Sequence, residues 1–272
     1  MGRGTRTGAL ALSCLVALTC WPLAAETVRV ETTGPGPAQP GAETPAWPVR
    51  AVLSDPTGRY PHHVLGDIPA FTRLEVWAQS CGSCRHGSEV MRVTLHPPLV
   101  FEDTAPRLWD VTGDGRPEIV VVESHERLGA RLAVWSYSDA SGQLERRAAT
   151  AHIGTRFRWL APSGIGDLAG DGTPVIAYVD RPHLARELVF VTLDGNRLRE
   201  IARIGGVSNH RIGDRTIAGG VRLCNGRTEV IVASADWSRL LAARVVRGRA
   251  QLRDLGPLRH SADFAAALAC RI

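Results

Sequence analysis

The sequence predicts an all-β fold: a β-propeller of five blades, closed by N- and C-terminal strands that share one blade. Three observations carry that reading. Asp110-Val-Thr-Gly-Asp-Gly-Arg-Pro-Glu118 runs straight into Ile119-Val-Val-Val122, so an oxygen-rich loop is joined to an apolar strand. A degraded copy, Asp167-Leu-Ala-Gly-Asp-Gly-Thr-Pro-Val175, begins 57 positions later. No stretch carries a helical stripe of apolar residues over ten or more positions, whereas short apolar runs alternate with polar turns. Units of about 50 residues with several short strands are the pattern of a propeller, whose closed ring hides the sheet edges.

The chain has 272 residues, enough for one large domain or two small ones. Residues 1–25 read as a cleaved signal peptide. Arg3 and Arg6 precede an apolar run from Gly8 to about Leu18, and Leu23-Ala-Ala25 suits cleavage after Ala25. The run is too short for a membrane anchor. Cys20 opens a lipoprotein alternative, against which Leu18-Thr19 is a poor lead-in. Residues 26–272 then form a single exported domain, periplasmic or secreted and monomeric, with no membrane span.

Glu26-Thr-Val-Arg-Val30 is the first strand. Gly34-Pro-Gly-Pro-Ala-Gln-Pro-Gly-Ala-Glu-Thr-Pro45 cannot be regular structure and is either a surface loop or part of a disordered tail. From there the strand behind each loop anchors a fourfold repeat: Leu74–Ala78, Pro117–Val121, Pro174–Tyr178 and Thr228–Val232. Glu75, Glu118, Val175 and Glu229 occupy one equivalent position, at spacings of 43, 57 and 54. Each strand leads to a second apolar run, namely Glu89–Val93, Leu132–Trp135, Leu188–Val191 and Leu241–Val246. A more polar alternating segment follows a tight turn such as Asp194-Gly195. The tail from His260 to Cys270 reads as the lead-in to a fifth inner strand, which Glu26–Val30 would supply.

Charge points to no particular partner. The formal net charge is +5 and every basic side chain is Arg. Arg and acidic residues are interspersed, so a nucleic-acid footprint is not supported. Six Cys less Cys14 and Cys20 leave Cys81, Cys84, Cys224 and Cys270, with three possible pairings in an oxidising compartment. Cys81–Cys84 with Cys224–Cys270 is preferred, because the second bridge would fasten the closing seam. Cys81-Gly-Ser-Cys84 could also be a redox pair or half a zinc site, but it lies in a turn between strands and has only His86 nearby.

In the first loop, Asp110, Thr112, Asp114 and Glu118 place oxygens at positions one, three, five and nine, and the carbonyl of Arg116 supplies position seven. Hard oxygens at that spacing can surround one Ca²⁺, at a Kd of about 10⁻⁴–10⁻³ M. The competing reading is a metal-free Asx-type turn. The second loop has Ala169 and Val175 at ligand positions and keeps too few oxygens. His63, His210 and His260 recur three or four residues before Asp67, Asp214 and Asp263. They mark either one ligand-binding face of the ring or repeated packing. Arg131, Arg186 and Arg239 precede the second strand of three repeats and are expected to pair with Glu123, Asp180 and Asp236.

Asp110 to Val122 resembles the calcium loop of FG-GAP (VCBS) repeat proteins, the propeller family that includes integrin α-subunit heads. Ile153–Pro162, Tyr178–Leu184 and Ser208–Asp214 are similar to exported VCBS-repeat proteins of α-proteobacteria. The resemblance covers most of residues 50–260 and implies a propeller and export, but no reaction. Thr112 departs from the family pattern, which has Asn or Asp there. No nucleophile elbow, His-Glu-x-x-His or phosphate-cradling loop is present. The expected function is therefore a non-catalytic binding or scaffolding module whose partner is an envelope protein or glycan. The alternative is a polysaccharide hydrolase or lyase with its site in the central funnel.

Overall fold

The computed structural model describes residues 1–2, 30–33, 47–79, 89–138 and 140–272. The leader with its cleavage site, the strand reading of residues 26–29, the Pro/Gly-rich stretch 34–45 and Cys81–Cys84 all lie outside these. Among the described residues the fold is nearly all β, with one short helix.

Four antiparallel, four-stranded meanders follow one another. The first comprises β1 (Val30–Thr33), β2 (Trp47–Thr57), β3 (Ala70–Gln79) and β4 (Glu89–Thr94). A short β5 (Leu99–Phe101) leads to the second: β6 (Arg107–Trp109), β7 (Glu118–His125), β8 (Gly129–Ser138) and β9 (Gln143–Ala149). The third holds β10 (Leu160–Gly166), β11 (Val175–Asp180), β12 (Glu187–Asp194) and β13 (Arg197–Gly205). After β14 (Val207–Ser208) comes the fourth, β15 (Gly220–Cys224), β16 (Arg227–Ser234), β17 (Arg239–Val246) and β18 (Arg249–Pro257), and then α1 (Ala262–Leu268).

Hydrogen bonds join the first three meanders into one 13-stranded sheet, but two of the joins are slight. Phe71 pairs with Phe101 between β3 and β5, and Arg197 pairs in parallel with Ala149 between β13 and β9. The meanders are therefore held together mainly by side chains. Within each, burial falls from the middle outward. All but the last residue of β7 and all of β11 are buried, while β9 and β13 alternate. The last strand pair carries a bulge in three meanders, at Val134/Trp135, Phe190/Val191 and Leu240/Leu241, which adds local twist.

The repeat register holds: Glu118, Val175 and Glu229 sit on the second strand of their meander, and Glu75 sits on β3, between β2 and β4. The strands that precede these, β2, β6, β10 and β15, were not anticipated as members of the repeat. β6 has only three residues, β10 contains Gly164 and Gly166, and β15 opens on Gly220. The tail also differs from expectation. Ala262-Asp-Phe-Ala-Ala-Ala-Leu268 is a helix, not the approach to a strand. Alanine is the strongest helix former, and Phe264 and Ala267 lie three apart on one face. They pack on Ile231, Ala233, Leu240 and Ala242. Val30–Thr33 pairs with Arg50–Leu53 inside the first meander. The described residues thus hold four units, and no fifth blade is shared between the termini. Among them no helix is long and apolar enough to cross a membrane.

The first meander meets the approach to the fourth at a glycine pair. Gly66 has φ +67°, and a Cβ there would lie 2.6 Å from the Gly213 carbonyl oxygen. Gly213 N donates to Val64 O at 3.0 Å, and Arg215 meets Asp67 at 3.2 Å. Only glycine permits so close a backbone approach.

Candidate functional site

A cavity of about 270 Å³ opens beside the loop between β2 and β3. Pro56, Val64, Leu65, Ile68 and Pro69 make its walls apolar, and Tyr60, His62, His63 and Glu102 supply the polar groups. Glu102 follows β5 and is buried. Its Oε1 lies 2.6 Å from His62 Nδ1, and its Oε2 accepts from Ser124 Oγ at 2.5 Å. Trp159 Nε1 donates to the Glu102 carbonyl at 2.8 Å. His62 stacks on Phe157, with ring centroids 5.1 Å apart, and Phe157 N donates to Tyr60 Oη at 2.9 Å. Three meanders therefore converge on this cluster.

Burial dominates its electrostatics. Desolvation pushes the Glu102 carboxyl up, against the hydrogen bonds from His62 and Ser124. The Tyr60 phenol is pushed up to about 12, first by desolvation and then by the neighbouring Glu102. The backbone is bent hard here: His63, Phe157 and Arg181 all have positive φ, at 57°, 57° and 45°. Non-glycine residues in that region cost energy and tend to gather at functional sites.

A second imidazole group adjoins the first. His62, Phe157, Trp159, Arg181 and His183 line a small neighbouring pocket. His183 Nε2 is 3.1 Å from His210 Nδ1, and His210 Nε2 is 2.9 Å from the Asp214 carbonyl. A carbonyl only accepts, so His210 carries its proton on Nε2 and its Nδ1 accepts from His183. Desolvation and then His210 lower the His183 pKa to about 4, and desolvation lowers that of His210. Both folded values lie below the ordinary 6.5, so the unfolded chain binds more protons just beneath that pH. Stability is expected to be flat above pH 6.5 and to fall between 6.5 and about 4. In urea titrations across that window, His183→Gln should lose less stability than wild type. Parallel losses would show that other groups drive the acid response.

Of the three histidines expected on one face, the structure brings two to this region and leaves out the third. His63 lines the cavity beside the β2–β3 loop. His210 is buried against Trp159, with ring centroids 4.8 Å apart. His260 is exposed before α1, where Asp263 accepts from its backbone N–H. Tyr60, His62, Glu102 and His183 were missed. The Tyr60-Pro-His-His63 run was a usable signal, but His63 alone matched the repeat spacing. Of the three arginines, Arg131 does meet Glu123, at 2.6 Å. Asp180 pairs with Arg181 instead, at 2.7 Å, and Arg239 with Asp254, also at 2.7 Å. Asp236 is taken by Ser234 and Ser238.

The Asp110 loop is closed by its own amides. Asp110 Oδ1 accepts from Gly113 N and Asp114 N, and its Oδ2 accepts from Gly115 N. Asp114 Oδ1 accepts from Arg116 N, while Glu118 Oε2 accepts from Val111 N at 2.7 Å. Gly113 and Gly115 have φ of 78° and 83°. The Asp167 loop repeats this, with Gly170 N and Asp171 N donating to Asp167 and Thr173 N donating to Asp171. It lacks two of the ligand side chains, yet its carboxylate–amide bonds follow the same pattern. Among the described residues no group of three or more His, Cys, Asp or Glu is arranged to hold a metal.

No family model matches the chain, and no curated protein matches it. Among solved structures it is similar to a structural-genomics crystal structure of a protein from Lactobacillus plantarum, at 14% identity and a TM-score of 0.40. The match covers 76% of this chain and 54% of that one, so the chain spans about half the length of that protein.

Proposed function

We propose that the chain is an exported, non-catalytic binding module of the FG-GAP type, built as a β-propeller and presenting the Tyr60–Glu102 cavity to an envelope protein or glycan. One observation carries this: an apolar cavity of about 270 Å³ holds a few fixed polar groups at its floor. Ligand sites have that composition. The four successive meanders and the Gly66–Gly213 contact support a ring, of four blades on this reading. The Cys224–Cys270 disulfide supports export.

The alternative, an enzyme acting on a polysaccharide, draws on the His62–Glu102 pair, which resembles a base with its orienting carboxylate. Ser124 donates to Glu102 and not to an imidazole, so the trio lacks an activated nucleophile. Calorimetry with soluble oligosaccharides and peptides, run beside a reducing-end assay, separates the two. Binding without new reducing ends, weakened in His63→Asn, supports the module. Product formation that disappears in His62→Ala would establish the enzyme instead.

One Ca²⁺ at Asp110, Thr112, Asp114, the Arg116 carbonyl and Glu118 belongs to the same proposal. It would add to a turn that already stands. At Ca²⁺ around tenfold above Kd, the gain is about 1.4 kcal/mol. Millimolar Ca²⁺ should therefore raise Tm by a few degrees over EDTA in wild type, and Asp114→Ala should remove the difference. Superimposed wild-type curves would leave a metal-free turn.

A further inference from the structure

A second cavity, about 320 Å³, lies at the other end of the fourth meander, where the C-terminal segment meets β15 and β16. Its charge is unbalanced. Arg222, Arg227, Arg253 and Arg271 line it against a single carboxylate, Glu229. A terminal carboxylate at Ile272 would still leave four guanidinium groups facing two anions.

The four arginines divide into two kinds. Arg222 and Arg253 are committed to the frame: Glu229 Oε2 accepts from Arg222 at 2.9 Å and from Arg253 at 2.7 Å. Arg222 also donates to the carbonyls of Ala267 and Ile272, both at 2.7 Å, which holds the tail in place. The side chains of Arg227 and Arg271 are exposed and have no hydrogen-bond or ion-pair partner among the described residues. One is on β16 and the other on the tail. The Cys224–Cys270 disulfide, which also lines the cavity, fixes the distance between those two segments.

We propose that this cleft binds a small phosphate-type dianion, either free phosphate or a phosphomonoester. Guanidinium forks match the tetrahedral oxygens of phosphate and donate in pairs. An excess of two positive charges suits a dianion better than a monoanion. The volume accommodates a phosphate with a small organic body attached. This site is separate from the Tyr60–Glu102 cavity, and its occupancy does not depend on the function assigned there.

Calorimetry at low ionic strength, with inorganic phosphate, glycerol 3-phosphate and acetate as probes, tests the proposal on the full chain. Wild type should bind both phosphates and ignore acetate. Tighter binding of glycerol 3-phosphate identifies a phosphomonoester site, and equal or tighter binding of inorganic phosphate identifies a free-phosphate site. The double variant Arg227→Ala/Arg271→Ala should lose about tenfold or more in affinity. Both side chains are exposed, so its far-ultraviolet circular dichroism and Tm should match wild type. Arg147→Ala/Arg249→Ala removes the same charge from other strands and should bind as wild type does. Acetate binding as tightly as phosphate, full retention in the first double variant, or an equal loss in the second would each overturn the site.

Discussion

Glu123→Ala is expected to destabilise the fold by about 3–5 kcal/mol, the cost of breaking a buried ion pair from one side. Glu123 has no exposed surface, yet four donors reach its carboxylate. Arg131 gives Nε at 2.9 Å and a terminal nitrogen at 2.6 Å to one oxygen. Trp135 Nε1 at 2.9 Å and Arg146 Nε at 3.0 Å share the other. The arrangement ties β7 to β8 and β9 in one place, with Arg146 lying over the Trp135 ring at 4.6 Å. Removing the carboxylate strands two guanidinium groups and an indole N–H in a low-dielectric setting. Urea denaturation measures the loss. Glu123→Met combined with Arg131→Leu should recover part of it, because an apolar pair of similar size leaves fewer unpaired charges. A loss below about 1 kcal/mol in Glu123→Ala would mean that the network is not formed as described.

Cys224→Ser with Cys270→Ser is expected to cost about 4 kcal/mol by the loop-entropy relation for a closed loop of 46 residues. The bridge joins the end of β15 to the residue two beyond α1. Apart from it, the tail is held by Phe264 and Ala267 in a small apolar cluster and by the two carbonyl bonds to Arg222. Those contacts alone make a weak anchor, so loss of the bridge should loosen the helix first. Hydrogen exchange should show α1 amides losing protection before those of β16. Reduction of wild type should reproduce the denaturation result. Unchanged stability in both would show that the unfolded chain gains little freedom when the bridge is cut.

Much of the architecture was legible because its signals are local. The Asp-x-x-Gly-Asp-Gly loops force positive φ at fixed offsets, and an apolar strand must follow them into the core. That alone aligns Glu118 with Val175 and, less directly, with Glu75 and Glu229. The strand before each anchor was not legible as part of the repeat, since β6 is short and Gly164 and Gly166 erase the apolar pattern of β10. The tail misled for a related reason. Cys270 mirrors Cys224, but the alanines between His260 and Cys270 favour a helix that the alignment of cysteines ignored.

The Tyr60–Glu102 site was still less legible. Glu102 follows β5, Ser124 is on β7, Phe157 precedes β10 and His183 follows β11, and only folding brings them near His62. Repeat spacing finds what each unit has in common. This cavity is built mostly from what they do not share: of the three histidines that obey the spacing, His63 lines it and His260 stands apart.

The paired turns at Asp110 and Asp167 bear on how such a chain can change. Both are closed by carboxylate–amide bonds from positions one and five, and in the first Glu118 at position nine also holds the Val111 amide. Thr112 and Glu118 in one loop and Ala169 and Val175 in the other occupy the same frame. The side chains at positions three and nine therefore differ between the two turns while the carboxylate–amide frame is the same. Architecture and ligand capacity are separately heritable in this protein.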